Sequence, residues 1–191
     1  KFRINAWKGF VVFDYLRKIY RETRPYEINK GDTDKLYHDS LRKLELCIEK
    51  GSKGLHRTLT QIVMDFMKIK VDKSRRKPVV GILGEIFMRD NAGCNGNIAN
   101  RLEEMGVEVV IGPFSEWITY STHRFTRDSR WKNDTKGVIK SKIQEYGQEI
   151  ISASLLRGLM KYTDMEKEVS LHDILSACGP YVNQFYDGDP P

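Results

Sequence analysis

Between residues 84 and 97 the chain gathers side chains able to bind or polarise a ligand: Glu85, Arg89, Asn91, Cys94, Asn95 and Asn97, set among Gly84, Gly93 and Gly96. Glycines let a backbone approach an anion closely, an arginine opposes its charge, and amides and carboxylates give directional hydrogen bonds. A second carboxylate, Glu116, follows the next apolar run and is trailed by Trp117 and Tyr120. Brought to one edge, Glu85 and Glu116 can bind a cation, pair with Arg89 or move a proton. The competing reading is structural. Glu85 then accepts backbone N–H groups, Glu116 complements the positive end of a helix, and Asn91, Asn95 and Asn97 serve turns and caps. Trp117 and Tyr120 either wall an adenine or acyl group or pack on a sheet. The glycines match neither G-x-G-x-x-G nor a P-loop, so spacing alone does not specify phosphate chemistry.

The elements that must hold this set are legible on either side. Pro78-Val79-Val80-Gly81-Ile82-Leu83 reads as a parallel strand, and residues 107–111 read as the next one before Gly112-Pro113. Ile98, Leu102 and Met105 recur at helical spacing and Gly106 ends the pattern. The expectation is a βαβ unit with adjacent parallel strands at 79–83 and 107–111 and a crossover helix near 97–105. It puts the 84–97 loop and Glu116 at the carboxyl edge of the sheet, where open α/β folds bind ligands. On that reading Glu85→Ala and Arg89→Ala weaken binding, and changes at 73–77 matter little.

Upstream the chain is helical. Phe10, Phe13, Leu16, Ile19 and Tyr20 form a stripe that must stop near Arg24-Pro25, and a second stripe carries Leu36, Tyr37, Leu41, Leu44 and Ile48. Gly51-Ser52-Lys53-Gly54 interrupts the pattern before Leu55, Leu59, Ile62, Val63, Phe66 and Ile69 resume it. Downstream, Ser115 is the expected N-cap of a helix, and 126–135 is expected to loop. A long helix then carries Val138, Ile139, Ile143, Tyr146, Ile150 and Leu155 to about 162, and Ser170-Leu171-His172-Asp173 opens a short helix to Cys178. The fold class is α/β: a small parallel, flavodoxin- or Rossmann-like sheet, incomplete in this stretch, with a large helical complement. Residues 1–77 are read as a helical segment packed on an α/β core at 78–191, together one compact unit cut from a longer chain.

With 30% charged and 40% apolar residues in 191, the composition excludes a mainly disordered chain. No apolar run approaches bilayer length and no signal peptide is seen, which predicts a cytoplasmic protein without a membrane partner. Cys47, Cys94 and Cys178 lack paired spacing, so no metal site is assigned and free thiols in a reducing compartment are expected. Cys47 and Cys178 are read as core residues and Cys94 as part of the loop. His38, His56 and His172 have no partner spacing, and His123 is read as an exposed helix residue. The net charge is +6, with basic runs at Lys68, Lys70, Lys73, Arg75, Arg76 and Lys77 and at Arg124, Arg127, Arg130 and Lys132. The first run is read as a solvated linker. A phosphate-bearing, nucleotide-like ligand suits these charges better than nucleic acid.

The run from Pro78 through Glu85 with Arg89, Asn91 and Asn97, then Arg101-Leu102-Glu103 with Gly106 and Ser115-Glu116-Trp117 with Tyr120, resembles the carboxyl-terminal region of the large CoA-substrate-specific enzyme activase proteins. Trp7-Lys8-Gly9, Arg24-Pro25-Tyr26-Glu27 and Tyr186-Asp187-Gly188 are similar to that region too. These proteins are relatives of the 2-hydroxyacyl-CoA dehydratase system, whose best-known member acts on 2-hydroxyglutaryl-CoA. The resemblance implies an activase that uses ATP and a [4Fe–4S] cluster to pass an electron to an iron–sulfur dehydratase, with an acyl-CoA as substrate. The implied partners are the rest of a parent chain or dehydratase and activase subunits. This stretch carries neither the nucleotide-binding core nor a multi-cysteine motif, so no cofactor of its own and no activity in isolation are expected.

Overall fold

The computed structural model describes residues 2–162 and 171–182. The expected cap at Ser170 and the Tyr186-Asp187-Gly188 segment lie outside them.

Helix α1 (Phe2–Thr23) turns Trp7, Val11, Val12, Tyr15, Leu16, Ile19 and Tyr20 inward. These recur at three- and four-residue steps, the period that lines one helix face. Pro25 disfavours the α region at the residue before it, and α1 stops at Thr23, where a single 3₁₀ turn, Arg24–Tyr26, replaces it. Helices α2 (Asp32–Glu49) and α3 (Leu55–Phe66) are separated as the sequence predicts. The reversal between them needs left-handed backbone at Gly51 (φ 83°) and Gly54 (φ 77°), which only glycine adopts without strain. Leu16, Leu44, Leu55, Leu59, Ile62, Val63 and Phe66 close one hydrophobic core.

Strands β1 (Val79–Ile82) and β2 (Glu108–Ile111) pair in parallel, with Val79 opposite Glu108 and Gly81 opposite Val110. The fold is therefore α/β with a small parallel sheet and a large helical complement, as expected. The connection holds two helices. The foreseen α5 (Ile98–Glu104) is preceded by α4 (Ile86–Asp90), inside a segment read as loop, because the Glu85 carboxylate accepts the Met88 N–H at 2.9 Å and starts a turn.

Helix α6 (Phe114–Trp131) corrects two expectations. Its N-cap is not Ser115. The cap position is Pro113, which has no side-chain acceptor, and the buried carboxylate of Asp14 reaches over from α1 to accept the N–H groups of Phe114 and Ser115, both at 2.8 Å. The polar run expected to loop at 126–135 continues α6 through Trp131. Thr122, Thr126 and Ser129 are buried against α7 (Thr135–Leu156), whose Gly137 and Ser141 face them. Small residues let two helix backbones approach closely, and each threonine hydroxyl is satisfied inside its own helix, Thr126 Oγ1 donating to the Thr122 carbonyl at 3.0 Å. Only Lys132, Asn133 and Asp134 connect the pair, with Asp134 accepting the Gly137 N–H at 3.0 Å as the cap of α7.

Helix α7 ends at Leu156 rather than near 162; Gly158 takes φ 73° and a 3₁₀ turn, Met160–Tyr162, follows. Its inner side returns to the core: Leu155 and Leu159 complete the cluster built by α1, α2 and α3, and Trp7 Nε1 donates to the Gln148 carbonyl at 3.1 Å. Helix α8 (Leu171–Cys178) packs near α6. Cys178, expected to be buried, is exposed, and Cys47 is half-buried.

Three phenols in this core titrate late. Burial, reinforced by a 2.7 Å hydrogen bond to Asp34, holds Tyr20 well above its usual range, and burial raises Tyr37 and Tyr26 as well. Above about pH 10 the unfolded chain releases phenolic protons that the folded chain retains, so stability present at neutral pH is lost as pH rises. Urea unfolding at pH 8, 10 and 11 should show a falling free energy, and Tyr20→Phe should flatten the fall. An unchanged slope in that variant would exclude Tyr20 as its source.

Candidate ligand-binding cleft

The strand register fixes one face of the sheet. Val79 and Gly81 of β1 share it with Glu108 and Val110 of β2, and Leu83 continues it past the strand. Parallel sheets are normally covered on both faces, yet Val79, Leu83 and Val110 are largely exposed. With no side chain on Gly81, the face sinks into a cavity of about 1030 Å³, at the upper end of the size range of small-molecule sites. Its walls are the polar side of α1, the start of α6 and the Leu171, Ile174 and Cys178 face of α8.

Helix α1 is fixed as a wall by charge. Arg17 donates to the Gly112 carbonyl at 2.8 Å and pairs with Asp90, tying both strand exits to the helix. Arg21 contacts Asn100 and the buried Glu103 of α5, both at 2.7 Å, and Arg24 joins Glu103 to Asp34.

Besides Arg17, Lys18 and Arg21 of α1, cations from the linker after α3 face the cavity. An antiparallel bridge joins Glu27 to Val71, Ile28 N–H donates to the Lys70 carbonyl at 2.9 Å, and Asp72 N–H donates to the Tyr26 carbonyl at 2.8 Å. So strapped, the linker lays Lys73, Arg76 and Lys77 along the mouth. The Tyr26 ring is their post. Its hydroxyl donates to Glu108 at 2.8 Å and accepts the Lys77 N–H at 3.1 Å, and the Lys73 and Lys77 ammonium groups stand 5.8 and 5.7 Å from its centroid. These cations lie at the amino ends of the strands. Glu116 lies at the carboxyl ends, where Arg17 also stands, so the cleft runs the length of the sheet.

Of the residues that sequence pattern marks as ligand contacts, Glu116 alone lines this cavity. Glu85 is exposed and caps α4; the Met88 and Phe87 N–H groups hold its carboxyl below the usual range. Asn91 Oδ1 accepts the Gly93 and Cys94 N–H groups at 2.9 and 3.2 Å. Asn95 donates to the Met88 and Arg89 carbonyls, both at 3.0 Å, and Asn97 takes φ 55° to start α5. Arg89 pairs with Asp90 and lies against Gly112. Gly84 takes φ 137° between β1 and α4. Trp117 is half exposed, its ring 6.2 Å from Phe114, and His123 is half-buried.

The sequence marks Lys73, Arg76 and Lys77 as a basic linker run that a phosphate-bearing ligand would suit, but their placement at this cleft depends on a bridge between residues distant in the chain.

Among the described residues, no three His, Cys, Asp or Glu side chains stand close enough to hold a metal ion, and no helix is long and apolar enough to cross a membrane. Comparison of the chain with protein-family models, with curated proteins and with solved structures finds no match.

Proposed function

We propose that the chain is a binding module of a cytoplasmic 2-hydroxyacyl-CoA dehydratase/activase-type protein, and that its cleft receives the phosphate-bearing part of a CoA thioester. The carrying observation is the pairing of an uncovered apolar sheet face with a mouth of Lys73, Arg76 and Lys77. Phosphates meet the cations, where charge-assisted hydrogen bonds are strongest, and the acyl arm lies on Val79, Leu83 and Val110. The residue resemblance supplies the ester class. In such a system a [4Fe–4S] cluster and ATP deliver the electron that enables loss of water. The three cysteines stand on α2, on the loop after α4 and on α8, which does not fit the usual four-thiolate set, so no step is assigned to a cluster here. The partners on this reading are the rest of a parent chain or the dehydratase and activase subunits, and the module is not catalytic by itself.

Titration calorimetry with CoA tests it. Lys73→Ala/Arg76→Ala/Lys77→Ala should weaken binding at least about tenfold, the loss of one to two moderate charged contacts. Glu85→Ala and Arg89→Ala should bind as the parent does. Loss of affinity in those two with the triple variant unchanged would return the site to the 84–97 loop. Tighter binding of ATP or of a short RNA than of CoA would favour the competing reading, an independent nucleotide or nucleic-acid module using its basic loops.

A further inference from the structure

Helix α7 carries a second surface unrelated to the cleft. Its inward side meets α6 through Gly137 and Ser141 and the core through Ile151 and Leu155, while Ile139, Ile143, Tyr146 and Ile150 are 56%, 68%, 67% and 50% exposed. Their spacing of four, three and four residues is the alternation that keeps one seam facing a partner helix in a coiled coil. A solvated helix gains nothing from such a row. Charge around it is divided: Lys136, Lys140 and Lys142 flank the first half of the seam and Glu145 and Glu149 the second, with Lys142 also pairing to Glu145 on its own helix.

We infer that this seam is the interface with a second copy of the chain, the two α7 helices crossing antiparallel about a two-fold axis near residues 143–146. A strip whose halves carry opposite charge is complementary to itself after a half turn, which is the requirement for an isologous contact. In that arrangement Ile143 of one copy lies beside Tyr146 of the other, Ile139 beside Ile150, and Lys142 near Glu149, each pair occurring twice. Parallel pairing in register would instead set lysines on lysines and glutamates on glutamates, which like-charge repulsion disfavours. The seam is short, so the dimer is expected to be reversible at micromolar concentration rather than permanent.

Sedimentation equilibrium of the whole chain under reducing conditions, from low to high micromolar, tests the inference. A monomer–dimer equilibrium is expected. Ile143→Glu should raise its dissociation constant at least about tenfold while leaving the far-UV spectrum and urea midpoint unchanged, because that side chain is exposed in the monomer. Lys142→Glu and Glu149→Lys should each weaken the dimer, and the double variant should recover it, a restoration that a general surface effect would not produce. A chain that stays monomeric over the range, whether its seam then holds a different protein or nothing, overturns the inference. So does a dimer that Ile143→Glu leaves intact.

Discussion

Replacing Glu103 by alanine is expected to lower the unfolding free energy by about 3–5 kcal/mol, the usual loss when one member of a buried ion pair is removed. Glu103 is buried on α5 with Arg21 at 2.7 Å on one oxygen and Arg24 on the other. Both guanidinium groups are themselves mostly shielded, and without the carboxylate two like charges are left facing each other. Asn100 and Asp34 still serve one arginine each, so the charges are not stripped of every partner. Against a typical total of about 5–15 kcal/mol the loss is a large share. Urea unfolding followed by circular dichroism reads it directly. Glu103→Gln, which keeps an acceptor but no charge, should fall between parent and alanine. An alanine variant within about 1 kcal/mol of the parent would mean the pair is solvated and behaves as a surface bridge.

Asp14→Ala should be nearly as severe, about 2–5 kcal/mol. Its carboxylate satisfies two of the four N–H groups that the first turn of α6 leaves without partners, and it sets a negative charge at the positive helix end. Each buried N–H left unsatisfied costs about 1–3 kcal/mol. Asp14→Asn separates the contributions, because its single carbonyl oxygen cannot replace both carboxylate oxygens and its NH₂ opposes one donor. The order should be parent, Asn, Ala. Hydrogen exchange supplies the local check: the Phe114 and Ser115 amides should lose protection first. If Asn and Ala were equally mild, the capping bonds would not be what joins α1 to α6.

How far the sequence carried the fold can be judged element by element. The paired strands were legible because Val79–Ile82 and Glu108–Ile111 are apolar runs closed by glycine and proline, and the end of α1 because Pro25 imposes it locally. The span of α6 was not legible. Its last turns are polar, and what keeps them helical is their fit against Gly137 and Ser141, which no local propensity encodes. The apolar row of α7 was legible as a helix but its facing was not, since Leu155 turns into the core while Ile139, Ile143, Tyr146 and Ile150 stay outside and α6 is met through Gly137 and Ser141. Of the cleft, pattern marked Glu116 as a ligand contact and the linker cations only as a basic run. Asp14, Tyr26 and the linker cations act across distances in sequence that pattern cannot bridge, while the asparagines and Glu85 that looked like ligand contacts bond to their own backbone.

The position of α1 has a consequence for how the chain comes to be folded. Its tryptophan waits for a carbonyl 141 residues later, and its aspartate for amide donors 100 and 101 residues later. During synthesis α1 thus carries a buried-to-be carboxylate and an open apolar side long before α6 and α7 exist. Helices α2 and α3 can cover part of that side early, but closure needs contacts of high sequence separation and is expected to limit the rate of folding more than any single helix does. Until then the half-built molecule exposes surface that favours aggregation. Slow or chaperoned synthesis should therefore improve the yield of folded protein more than changes that merely stabilise the finished fold.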